Sequence, residues 1–280
     1  MKSSFLAASL LVFFLLLRDV VAQTDQVVNR LELDLVSLYN PLGISFSAKG
    51  YRRQVYHHAA SPLWDGLYYQ AGVQANINPA FNRAGVHLEW MPIAVMQLRA
   101  QYDRLYFSGS HGSLLSFSSS NDRFGDDELT AREGDAVSGE GQRTLYNLTL
   151  RAKVGRAIFR NVTDIAQYEF PSGGPYYLER EYEILMARQD QLLSNQFYLL
   201  YEFKDEGNTT LFGPYHDVVK VRDSGLRRER LGLTLLREYE QPFGSLQKPR
   251  WYLQSGLYLQ DRNREDEFYL LFGIGGDFNW

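Results

Sequence analysis

The chain contains no cysteine. That excludes a disulfide framework and an N-terminal lipid-modified cysteine, so any hold on a membrane must come from the fold. Long apolar runs are nearly as scarce. Phe5 to Leu17 is an unbroken stretch of thirteen apolar or small residues, short of the ~20 that a helix needs to cross a bilayer. With a mean hydropathy of −0.33, a helical membrane protein is excluded. Lysine is sparse too, 6 against 23 arginines, and the formal net charge is −4. That balance gives no support for nucleic-acid binding.

The apolar run belongs to a leader. Lys2 supplies a positive start, and Val20-Val21-Ala22 places small residues where a signal peptidase cuts, so residues 1–22 read as a cleaved signal peptide. Removing it leaves 27 basic and 32 acidic side chains. Past the leader no apolar run is long enough for a membrane helix. In lipid every backbone polar group must be paired within the protein, and a closed β-barrel is the one other spanning structure that achieves this.

What the chain has in quantity is aromatics, 14 % of residues, and alternation. In the last thirteen residues, Phe268, Leu270, Phe272, Ile274, Gly276, Phe278 and Trp280 form one set, apolar or glycine throughout. Tyr269, Leu271, Gly273, Gly275, Asp277 and Asn279 form a more polar one. A period of two is a strand with two unlike faces, and an apolar face with aromatics near both ends is the lipid-facing pattern of a transmembrane β-strand. This ending resembles the C-terminal signal of Gram-negative outer-membrane β-barrels, with Phe268, Phe272, Phe278 and Trp280 as its aromatic positions. The resemblance implies export to the cell outer membrane, contact with its lipid and lipopolysaccharide, and recognition by the barrel-assembly machinery.

The same alternation recurs upstream in segments of about ten residues, the length that crosses a bilayer when tilted. Leu67 to Ile77 is the cleanest example; others centre on residues 31–35, 44–48, 84–90, 94–102, 146–154, 158–169, 182–186, 197–203, 231–235 and 251–259. With the last strand they make twelve. The expected fold is therefore all-β, a closed antiparallel up-and-down transmembrane barrel over residues 23–280 with both termini in the periplasm; ten or fourteen strands also fit. Long polar loops are expected near 107–143 and 204–226 on the outer side, and short turns at 91–93 and 155–156 on the periplasmic side.

The inward set would line a lumen: Lys49, Glu89, Arg99, Asp103, Arg151, Lys153, Glu181, Glu183 and Arg230. Its mixed signs suit a small passive channel, a barrel filled by internal salt bridges, or a structural outer-membrane protein. His111-Gly112-Ser113 resembles the His-x-Ser pair of outer-membrane phospholipases, which makes His111 and Ser113 the candidates for a lipid-modifying hydrolase. A secreted β-sandwich is the soluble alternative. No cofactor motif is present: Gly273 to Gly276 has no helix after it to cradle a phosphate. The loop acids Asp126, Asp127, Glu128, Glu133, Asp135 and Glu140 lack calcium-loop spacing. His57-His58 would point to opposite faces of a strand.

Overall fold

Twelve of the amphipathic segments fold into one closed wall. The computed structural model describes residues 26–57, 61, 63–110, 113–171 and 173–279; the leader, His58, His111 and Trp280 lie outside them. The wall strands are β1 (Gln26–Tyr39), β2 (Gly43–His57), β3 (Leu67–Ile77), β4 (Phe81–Ile93), β5 (Met96–Ser108), β7 (Ser138–Val154), β8 (Ala157–Glu169), β11 (Gln189–Asp205), β12 (Asn208–Val221), β13 (Arg227–Tyr239), β14 (Gln247–Gln260) and β15 (Phe268–Asn279). Each pairs antiparallel with its neighbours, and β1 closes the sheet against β15, from Arg30 opposite Asn279 to Tyr39 opposite Leu270. Closure removes the unpaired edges that an open sheet exposes.

Two segments reverse their expected roles. Residues 182–186 were expected in the wall, but they belong to a small inner sheet of β6 (Ser116–Phe117), β9 (Tyr176–Glu179) and β10 (Ile184–Ala187). Four-residue strands are too short to span a bilayer, which takes ~9–11. Conversely, residues 204–226 were expected as a loop and contain β12. Its outer side mixes Phe212 and Val218 with Thr210, Pro214, His216 and Lys220, whereas its inner side carries the buried Tyr215, Val219 and Val221 beside the ion-paired Asp217. The contrast between faces is weak there because protein fills the lumen behind β12. The turn expected at Met91-Pro92 is also displaced; β4 runs on to Ile93 and the chain reverses at Ala94-Val95.

The two mouths differ. Two-residue turns at 94–95, 155–156 and 206–207 lie at the mouth that holds both ends of the wall, Gln26 and Asn279. The long connections 109–137 and 170–188 lie at the other mouth. They carry the inner sheet and a short helix, α1 (Asp126–Ala131). Together they form an insert.

Burial along the strands shows where the insert sits. In β5 the second half alternates sharply between exposed and buried, while the first half is intermediate on both faces. β12 shows the same contrast, with its alternating half again at the long-loop mouth. An apolar layer explains it. Leu114, Phe170, Tyr177, Ile184 and Met186 of the insert pack against Phe81, Leu105, Phe107, Tyr168, Leu192 and Val219 on the inside of the wall. A second inner cluster, Tyr198, Leu200, Tyr215, Tyr258 and Tyr269, fills the β11–β15 side.

Outside the wall the residues are apolar and uncovered. Val73, Val86, Leu150, Leu231, Leu233, Leu257 and Ile274 are all exposed, and no second sheet packs on them among the described residues. Below this belt, at the mouth with the termini, aromatics gather on the outer face. Tyr56 stacks on Tyr69 and accepts a hydrogen bond from the Trp90 indole at 3.1 Å. Trp251 donates to the Tyr239 hydroxyl at 3.1 Å, and Tyr201 lies against Phe203.

Candidate functional site

The insert is held by three successive residues of the turn between β9 and β10. The Glu181 carboxylate accepts from Arg143 of β7 at 2.9 Å and from Arg83 of β4. The Tyr182 carbonyl accepts from Arg228 of β13. Glu183 lies 3.7 Å from Arg264 in the β14–β15 connection. Arg264 in turn meets Asp126 of α1 at 2.6 Å, and Asn263 accepts from the Phe124 backbone at 3.2 Å. The turn is therefore tied to opposite sides of the barrel.

Two of the anchors, Arg143 and Arg228, are backed by a buried carboxylate. Arg143 also pairs with Asp103 at 2.8 Å, where Gln101 and Gln74 donate to the same carboxylate at 2.7 and 3.0 Å. Both Arg143 and Asp103 are buried. Gly85 makes room for this group, since an added Cβ there would collide with Asp103 Oδ1. Arg228 and Arg230 converge on the buried Asp217 at 2.8 and 2.6 Å. Buried charges persist only when paired in this way.

The turn's carboxylates are pushed in opposite directions. Burial, with Glu181 beside it, holds Glu179 up to about 7; its Oε2 accepts from the Tyr182 backbone at 2.6 Å. Burial works against Glu181 as well, yet Arg83 and Arg143 outweigh it and hold that carboxyl down to about 2. Burial also raises Glu183, against the pull of Arg180 and Arg264.

Beneath the insert the lumen is hollow and polar. An upper cavity of about 370 Å³ has Glu181 and Tyr182 among its lining residues. A lower one of about 500 Å³ is lined by no insert residue and reaches Gly66, in the β2–β3 connection at the termini's mouth. Both include Glu32, Lys49, Gln97, Arg99 and Arg160 in their walls.

Of the residues expected in the lumen, Lys49 and Arg99 line both cavities, Glu181 the upper, and Glu89 and Arg151 the lower. Glu181 does so from the insert, not from the wall. Asp103 and Arg230 face inward but are consumed in the buried pairs with Arg143 and Asp217. Lys153 lies at the rim, 2.6 Å from Glu202. Glu183 is buried within the insert. Arg53, Arg83, Arg143 and Arg160 also face the cavities. Continuing the period-two alternation outward from Lys49 and Glu89 reaches Arg53 and Arg83, so a signal for these existed.

Ser113 is buried in the insert, and its hydroxyl has no hydrogen-bond partner among the described residues. His111 lies outside them, so the His-x-Ser pair gains no geometry. At the C-terminal strand, Phe268 and Phe272 are exposed on the outer face, Phe278 is half-buried there, and Tyr269 and Asp277 point inward. Trp280 falls outside the described residues.

No family model and no curated protein matches the chain. Solved structures similar to it are outer-membrane β-barrels. The NanC porin has 8 % identity over 89 % of this chain and 98 % of that one, with a TM-score of 0.45. The beta domain of the Bordetella autotransporter Brka has 8 % identity over 90 % and 98 %, with a TM-score of 0.41. OmpT of Vibrio cholerae has 11 % identity over 93 % and 100 %, with a TM-score of 0.38.

Proposed function

We propose that this chain is an integral outer-membrane β-barrel, with its termini on the periplasmic side, whose lumen is stoppered at the outer mouth by its own insert. It is a barrel closed at rest rather than a freely open passive channel, and solute crosses only when the insert leaves its seat.

The observation that carries the membrane half is the uncovered apolar belt with aromatics below it. In water an exposed apolar area running round a whole wall would drive association; in a bilayer it meets hydrocarbon, and tyrosine and tryptophan sit at the headgroups. Wall strands of 11 to 17 residues meet the length requirement. Long connections at the mouth away from the termini match the outer side of such barrels. The stopper half rests on the anchors of Glu181, Tyr182 and Glu183 to opposite walls.

Two measurements test it. The folded protein should require detergent and migrate faster unheated than heated in gels; solubility without detergent overturns the membrane assignment. In planar bilayers the wild-type protein should conduct little, and a variant with residues 176–187 replaced by a short glycine-serine link should give large steps. Equal conductance overturns the stopper.

A further inference from the structure

The lower cavity has an unbalanced charge. Lys49, Arg53, Arg99, Arg151 and Arg160 line it with two carboxylates, Glu32 and Glu89. Both carboxylates are already engaged. Glu32 lies 3.7 Å from Lys49 and accepts from the Tyr51 hydroxyl at 2.6 Å. Glu89 lies 3.9 Å from the same lysine and accepts from the Tyr68 hydroxyl at 2.7 Å. One lysine thus takes up both acids, and the four arginines have no carboxylate within 4.0 Å among the described residues.

These arginines are instead positioned by uncharged groups. Arg53 lies 3.9 Å over the Tyr68 ring and donates to Gln70 at 2.8 Å. Arg151 donates to the Ala94 carbonyl at 3.0 Å. Arg99 donates to Gln74, and its Nε is buried without a partner. Arg160 sits 5.7 Å over the Tyr198 ring. Neutral partners fix the side chains, and five cations share the cavity with two carboxylates. A concave, low-dielectric wall focuses that field, and guanidinium forks match carboxylate and phosphate geometry. A volume of about 500 Å³ is in the range of small-molecule sites.

We propose that the lower cavity binds a small soluble anion carrying two or more carboxylate or phosphate groups, admitted through the mouth that holds the termini. The proposal needs the barrel and that mouth; it stands or falls independently of the stopper and of which membrane holds the protein.

The test is calorimetric titration of the folded full-length protein in neutral detergent micelles, with citrate and pyrophosphate as separate probes. At least one should bind, more weakly as salt rises, and the stronger of the two identifies carboxylate or phosphate chemistry. Arg99→Gln and Arg160→Gln should each weaken binding about tenfold, the factor for one charge-assisted hydrogen bond. Lys153→Gln, at the rim, should leave it unchanged. Heat-modifiable migration verifies the folding of each variant. Phosphatidylglycerol added to the micelles should not compete; competition would overturn the soluble-anion assignment in favour of a lipid headgroup. If the wild-type protein binds neither probe, or Arg99→Gln and Arg160→Gln both bind as tightly as wild type, the site is overturned.

Discussion

Glu181→Gln isolates the electrostatic clamp on the insert. The substitution keeps shape and one acceptor oxygen but removes the charge shared by Arg83 and Arg143. Net hydrogen bonds to charged groups contribute about 1.5–3 kcal/mol. Glu181 faces the upper cavity and its side chain keeps 36 % exposure, so the lower end applies, ~1.5 kcal/mol. Arg143 retains its buried partner Asp103, whereas Arg83 loses its carboxylate. The Arg228 and Arg264 anchors remain. A seating equilibrium weakened by ~1.5 kcal/mol shifts about tenfold, and single-channel recording reads this as a tenfold rise in the fraction of time open. Lys153→Gln, which breaks an exposed rim pair, is the matched control and should change nothing. The clamp reasoning is refuted if the variant lacking residues 176–187 opens fully while Glu181→Gln gates like wild type; the insert would then be held by its apolar layer alone.

Four other expectations follow from the same geometry. Glu179, held up to about 7 while seated, has its seated value above its released one, so its contribution is complete at acid pH and is lost as pH rises through neutrality. Conductance should increase from about pH 5 to 8, and Glu179→Gln should flatten the profile; Glu181 acts in the opposite sense only near its much lower value. Leu233→Lys on the exposed outer face should cost about 2–4 kcal/mol in lipid vesicles near the midplane, measured by denaturant titration, whereas a half-exposed leucine in a water-soluble protein would tolerate it within about 0.5 kcal/mol. Gly275→Val would drive Cβ into Asp34 Oδ1 and away from Arg250, which bridges Asp34 and Asp277 across the β1–β15 closure at 3.0 and 2.9 Å; ~1–3 kcal/mol of overpacking should appear as a smaller heat-modifiable fraction. Deleting Trp280 should lower membrane levels more than Asp127→Asn in the insert does, and equal levels would remove its role as an assembly signal.

The outer face of this barrel was legible because its solvent imposes one demand. Hydrocarbon requires an apolar residue at every second position, so Leu67 to Ile77 and Phe268 to Phe278 announced themselves. The interior imposes no single rule. Where the lumen is hollow, as behind Lys49 and Arg99, the inner residues are polar and the alternation is sharp. Where the insert fills it, inner residues of β12 such as Tyr215, Val219 and Val221 become apolar, and the contrast between faces fades. Arg53, Arg83 and Arg143 went unnoticed for a related reason: they extend strands past the points where the outer pattern weakens.

Twelve wall strands were expected and twelve form the wall, but the agreement conceals two opposite errors. Residues 182–186 alternate because Ile184 and Met186 pack into the apolar layer while Glu181 and Glu183 seek arginines; that is a protein core, not lipid. β12 alternates weakly and is interrupted by Pro214, next to which its ladder to β11 skips two residue pairs between Tyr198–Tyr215 and Tyr201–Phe212. A missing amide donor breaks a ladder locally without ending the strand. Periodicity therefore reports that a ribbon has two unlike faces and not which solvent each one meets. Length separates the cases. A four-residue strand cannot reach across hydrocarbon, and the fourteen residues of β12 can. The exchange also carries the proposed stopper: with residues 182–186 inside the lumen, Glu181, Tyr182 and Glu183 lie between arginines on opposite sides of the barrel.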